Sequence, residues 1–291
     1  MHLRDFGTTG LTVSALGFGA GSIGGADVSD ARVERLIHQA QDEGVTLFDT
    51  ARSYGASEAR LGRALRGRRR GAVLSTKVGY GVEGVADWTR EAVRRGVDEA
   101  LSTLQQDCVD VVHLHSCPAE VLARGEVLEA LFEARAAGKI RLAAYAGDNE
   151  GLDAAIAAGA DSVLTSASVF DQGFLGRGLG EAKRRGLGVI AKRPLGNAPW
   201  RFSARPEGRY CLPYWDRMQA LGLDFGDRWA EVALRFAAWT WGIDSVIAGT
   251  ASPAHLAENA RCVRLGPLPE DEVRALRGAW AAADPGWRGE T

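Results

Sequence analysis

Short apolar runs recur along the chain, each preceded by a turn signal and followed by a stretch of helical periodicity. They fall at 15–20 (ALGFGA), 45–49 (VTLFD), 72–77 (AVLSTK), 109–115 (VDVVHLH) and 140–146 (IRLAAYA), then at 162–168 (SVLTSAS), 187–192 (LGVIAK) and 244–248 (DSVIA). Runs apolar on both faces indicate strands covered on both sides, as parallel strands are. Between them lie amphipathic stretches. Positions 30–43 place Val33, Leu36, Ile37 and Ala40 on one face, and 89–104 do the same with Val93, Val97, Ala100, Leu101 and Leu104. Gly44, Gly138, Gly186 and Gly242 stand between a helix and the next strand, where a left-handed turn residue is expected. Eight strand–helix alternations predict an α/β fold of the (β/α)8, or TIM, barrel type.

Two stretches fall outside the alternation. Residues 1–14 read as a short hairpin closing the barrel bottom, and 193–227 as a long loop after the seventh strand. The whole chain, 1–291, reads as one barrel domain. The other architecture considered, an open doubly wound sheet, wants a GxGxxG turn that opens a helix. Gly17, Gly19 and Gly21 alternate, but no helical pattern begins before Asp30.

Composition narrows the function classes. A net charge of -2 does not favour nucleic acid or an acidic membrane surface, so the basic run at 66–70 (RGRRR) reads as the solvated end of a helix. No apolar run reaches membrane-span length, and the first ten residues have no signal-peptide core. The four cysteines lack metal-site spacing and point to a reducing cytoplasm, with Cys117 as pocket wall.

Barrel chemistry sits where the strands end. Asp49, Lys77 and His115 close three successive strands, and Tyr54 follows the first of them. An ammonium beside a tyrosine hydroxyl favours the phenolate and makes the phenol a better proton donor. Asp49 would keep that ammonium in place, and His115 would orient a carbonyl oxygen. The set suits a reaction that protonates an oxyanion as it forms, such as hydride addition to a carbonyl. His113, two residues deeper on the same face, is assigned to the core.

The local sequences around these residues resemble the aldo-keto reductase family. Segments 47–62 (LFDTARSYGASEARLG), 75–79 (STKVG) and 101–116 (LSTLQQDCVDVVHLHS) resemble the family's catalytic regions, and 138–149 and 247–259 resemble later ones. The likeness runs from about residue 3 to 263 with the motifs in register. It implies NAD(P)H-dependent carbonyl reduction without a metal, NADPH being the expected cofactor and NADH the alternative. The implied catalytic residues are Asp49, Tyr54, Lys77 and His115, with Tyr54 as general acid. The implied cofactor contacts are Gly19, Ala20, Gly21 and Asp49 on the nicotinamide-ribose side, Arg193 stacked on the nicotinamide in place of the usual aromatic, and Pro194, Leu195 and Gly196 along the pyrophosphate. Gly249, Thr250, Ser252 and His255, with Glu258 and Asn259 on adenine, would hold the adenosine end.

The chain departs from the family pattern at Ala146 and Leu164, where carboxamide-binding Ser and Gln are usual, and at Lys192 or Arg193, where an aromatic is usual. The expected partner is a small carbonyl compound. Trp88 and Trp200 are candidate substrate contacts. Trp200 belongs to an aromatic group in the long loop with Phe202, Tyr210, Tyr214 and Trp215, interleaved with Arg201, Arg205 and Arg209. Two other functions fit the same barrel: a nicotinamide-binding regulatory protein with little turnover, and a Schiff-base lyase using Lys77 or Lys192.

Overall fold

The computed structural model describes residues 1–69 and 71–290. Ten strands follow in chain order: β1 (Leu3–Asp5), β2 (Thr12–Ser14), β3 (Leu16–Gly19), β4 (Leu47–Asp49), β5 (Val73–Val78), β6 (Val109–His115), β7 (Ile140–Ala146), β8 (Ser162–Ser166), β9 (Gly188–Lys192) and β10 (Ser245–Gly249). From β3 to β10 they are parallel and close on themselves in sequence order, the barrel that the alternation predicts. Each of the eight apolar runs contains or overlaps one strand, and the four turn glycines all adopt positive φ.

The barrel interior explains why the chemistry lies at one end. Leu47, Val73, Val111 and Leu142 fill its lower part, and Phe6, Leu11 and Val13 plug the bottom from the β1–β2 hairpin. The hairpin is anchored by Thr8 N to Gly186 O (2.8 Å), Gly7 N to Asp244 Oδ2 (3.2 Å) and Arg4 to the carbonyls of Ala238 and Ile243. With one end sealed by apolar side chains, only the C-terminal ends of the strands are free to bear polar groups.

The long segment after β9 is more ordered than a loop. It carries a short turn at Pro199–Arg201 and a ten-residue helix, Leu212–Leu221. The helix buries Tyr214, Arg217, Met218 and Leu221, a three-to-four-residue spacing, and ends at Gly222 in the left-handed conformation. It packs with Trp229, Phe236, Leu276 and Trp280 into a second core outside the barrel wall. Tertiary contact stabilises this helix although its sequence pattern is short.

Arg70 lies outside the described residues. Of the rest of that basic run, Arg66 bonds Gln105 Oε1 and Arg69 pairs with Asp110, so both have partners within the fold. No helix among the described residues is long and apolar enough to cross a membrane, and no cluster of metal-ligating side chains occurs among them.

Candidate active site

Register sets the depths of the ionisable groups. Asp49 is level with Ser75 on β5, and Lys77 with His113 on β6, so His115 sits two residues nearer the mouth than Lys77. Tyr54 arrives on the turn after β4, which docks against Gly24. A Cβ at Gly24 would lie 1.7 Å from Tyr54 O, and Ala56 N donates to Gly24 O at 3.1 Å. Only glycine admits that approach.

Lys77 Nζ donates to Asp49 Oδ2 and to Thr50 O, each at 2.7 Å, and both side chains of the pair are 2 % exposed. Ser75 Oγ donates to the other Asp49 oxygen at 2.7 Å and lies 3.0 Å from His113 Nε2. Lys77 Nζ is 5.0 Å from the Tyr54 ring centroid, and the Tyr54 and His115 rings meet edge-on at 6.1 Å. The structure therefore brings together all four residues named from the sequence, and places His113 in the core.

Burial works against charge on Lys77, but Asp49 and then Tyr54 outweigh it, and the lysine pKa ends above its usual value. The ammonium is thus permanent at neutral pH. His115 is pushed down to about 3 by burial and then by the Lys77 charge, so its imidazole is neutral. Burial and Lys77 likewise hold His113 at about 3. A histidine depressed in the folded state but free to protonate near pH 6.5 when unfolded makes stability fall as pH drops through that window. One such group costs about 2 kcal/mol at pH 5. Accordingly, His113→Gln should lose less stability between pH 7.5 and 5 than wild type in urea titrations. An unchanged difference between the two pH values would contradict a neutral buried His113.

Two joined cavities open at the mouth. The first, about 680 Å³, is lined by the four residues together with Tyr80, Lys192 and Arg193, and by Gly19, Ala20 and Gly21. The second, about 630 Å³, shares Arg193, Asn197, Ile247 and Gly249 with it and runs on past Pro194, Leu195 and Thr250 to His255, Glu258 and Asn259. Gly196 and Ser252 line neither: Gly196 is buried against Phe170, and Ser252 caps the helix Pro253–Arg264.

The family's missing polar groups are matched by apolar wall, since Ala146 and Leu164 both face the first cavity. Their polarity is replaced nearby by Lys192, whose Nζ lies 2.7 Å from Asp148 Oδ2. Asp148 is itself held by Thr165 Oγ1 (2.7 Å) and Ser166 N (2.8 Å). Burial lowers the Lys192 pKa, with Asp148 opposing.

Neither tryptophan named as a substrate contact lines the first cavity. Trp200 stacks on Trp229 at 5.9 Å and 9° and lines the second cavity, while Trp88 stands behind Tyr80 with ring centroids 5.6 Å apart. Tyr214 is buried in the outer core, and Trp215 donates to Phe202 O. Of the five loop aromatics only Tyr210 reaches the first cavity, its ring under the Arg193 guanidinium. Period and spacing could not have told cover from contact here. Tyr80 and Asn197 were missed, because loop positions carry no periodic signal.

The model of the aldo/keto reductase family matches residues 15–281. The chain belongs to that family and is an oxidoreductase. It is 30% identical over 283 residues to L-galactose dehydrogenase of Arabidopsis thaliana, covering 90% of this chain and 88% of that protein. With pyridoxal 4-dehydrogenase of Microbacterium luteolum it shares 26% identity, covering 89% and 93%. Among solved structures it resembles the holo form of aldo-keto reductase AKR11C1 from Bacillus halodurans (TM-score 0.84, 26% identity, 96% of each chain).

Proposed function

We propose that this protein interconverts an aldehyde or ketone and the corresponding alcohol with a nicotinamide cofactor, NADPH in the first instance and NADH as the alternative, with Tyr54 as the general acid. The observation that carries the reading is the buried Lys77 ammonium fixed between Asp49 and Tyr54, with a neutral His115 facing the same tyrosine.

The cavities fit such a cofactor. Each lies within the 300–1,000 Å³ common for ligand pockets. Their junction offers Arg193 and Asn197, suited to a diphosphate, and their far end offers Asn259 and Glu258, suited to an adenine. Gly19–Gly21 and Asp49 flank the inner end, and Thr250, His255 and Arg201 are available to the adenosine ribose and its phosphate. When bound there, the cofactor supplies or accepts the hydride.

The remaining work falls to the chain. His115 orients the carbonyl oxygen, and Tyr54 gives its proton to that oxygen as negative charge develops. The Lys77 ammonium stabilises the phenolate left behind, and Asp49 keeps Lys77 charged and aimed. In the reverse direction the phenolate takes the alcohol proton. The polar wall of Ser53, Tyr80, Ser116, Lys192 and Arg193 favours a small hydroxylated substrate. The name of the Arabidopsis relative, L-galactose dehydrogenase, accords with that class. Four free cysteines accord with a cytoplasmic setting.

Fluorescence titration with NADPH and NADH, followed by turnover on a panel of aldoses and simple aldehydes, tests the reading. Saturable cofactor binding without turnover on any carbonyl would favour the regulatory alternative, and the absence of both binding and turnover would overturn both readings. Because Trp200 lines the cofactor cavity, Trp200→Ala should weaken NADPH binding by about tenfold, in line with roughly 1–3 kcal/mol of lost contact, and leave carbonyl KM at saturating cofactor within twofold. A raised carbonyl KM with unchanged NADPH affinity would return Trp200 to the substrate.

A further inference from the structure

The loop after Lys77 carries a side chain that the four catalytic residues do not account for. Tyr80 lines the first cavity and stacks on the His115 imidazole, with ring centroids 5.4 Å apart and planes at 29°. Its hydroxyl lies 2.9 Å from His115 Nδ1 and 3.3 Å from Ser53 Oγ. The loop holds it there. Gly79 has φ +125° and no room for a Cβ, which would stand 2.3 Å from the Trp88 ring. Trp88 N donates to Gly79 O at 2.7 Å, Gly81 N donates to Asp87 Oδ1 at 2.8 Å, and the Trp88 ring meets Tyr80 edge-on.

A neutral imidazole has one N–H and one lone pair, and a partner at one nitrogen decides which nitrogen carries the proton. The Tyr80 phenol has a single proton and two acceptors in reach. The imidazole nitrogen at 2.9 Å is the stronger base and the closer atom, whereas 3.3 Å exceeds the usual O–H···O range. The proton therefore goes to Nδ1. The opposite order would leave a lone pair on Nε2, an acceptor facing an acceptor wherever a carbonyl oxygen approached that nitrogen.

We propose that Tyr80 is a positioning residue which donates its phenolic proton to His115 Nδ1 and so fixes the tautomer with a proton on Nε2. His115 then presents a donor to the substrate oxygen. That same N–H stabilises the alkoxide when an alcohol is oxidised. The proposal rests on the carbonyl-orienting role given to His115 above, and it adds the residue that prepares His115 for that role.

The test is the two-bond 1H–15N spectrum of the 15N-labelled protein at pH 7, with His115 signals assigned by their loss in His115→Asn. Wild type should show an unprotonated Nδ1 and a protonated Nε2. Tyr80→Phe keeps the ring and its stacking but removes the hydroxyl, so its His115 signals should move toward a mixture of tautomers. Its kcat on a carbonyl should fall roughly tenfold to hundredfold, the range seen when partners that fix a histidine tautomer are removed, with NADPH affinity unchanged. A protonated Nδ1 in wild type overturns the assignment, as does a Tyr80→Phe spectrum indistinguishable from wild type, whatever happens to kcat. The spectrum needs no substrate, so a protein that turns over no carbonyl would sink the functional reading while the tautomer remained decided on its own signals.

Discussion

Tyr54→Phe is expected to lower kcat by roughly 10²–10⁴, the range for removing a general acid, while NADPH affinity stays near that of wild type. The hydroxyl is the only atom removed. The phenyl ring still packs beside Lys77 and His115, so geometry and fold survive. In energetic terms the loss is about 3–5 kcal/mol of transition-state stabilisation, too large for a packing change of one atom. Pre-steady-state turnover with a reactive aldehyde, run beside a cofactor titration, separates the two quantities. If kcat were unchanged, another donor would protonate the oxygen and the proposed chemistry would lose its acid.

Lys77→Met should have the second largest effect, and it should appear in stability as well as in rate. Methionine fills much of the volume but leaves Asp49, 2 % exposed, with a negative charge and only the Ser75 hydroxyl as partner. Breaking a buried pair from one side costs about 3–5 kcal/mol, so urea or thermal midpoints should fall clearly. The phenolate formed after proton transfer also loses its nearest positive charge, and kcat should drop by at least about 10² with an altered pH profile. Removing the Asp49 charge as well, in the double variant Lys77→Met/Asp49→Asn, should recover much of the stability and none of the rate. Recovery of the rate would show that Lys77 acts only by neutralising Asp49.

Much of this protein was legible in its residues because strands covered on both faces have no polar side to disguise them. The runs at 109–115 and 140–146 match β6 and β7 residue for residue. The helix 30–43 ends one residue early, and Thr89 is the cap of the helix Arg90–Leu104. Asp49, Lys77 and His115 could be found because a strand-end polar residue in a barrel has only one place to go, the mouth. The long segment was read less well. Its aromatics are spaced neither as a strand nor as a long helix, and Trp200, Tyr214 and Trp215 join a core with Trp229 and Trp280, residues outside the segment.

The sequence by itself determined the barrel, its sealed bottom and the four groups at its mouth, since each follows from local periodicity or from a short motif. Tertiary structure alone decided which neighbours those groups would have. Strand register put His113 level with Lys77 and His115 above it. Closure of the barrel paired β10 with β3 on one side and β9 on the other, so that Arg193 and Gly249 border the same space as Tyr54. The Lys192–Asp148 pair joins the end of β9 to the turn after β7, and the Tyr80 hydroxyl reaches His115 from a loop without periodicity. A contact between residues far apart in sequence leaves no trace in the order of either segment. It exists only after the closed sheet has fixed the distance between them.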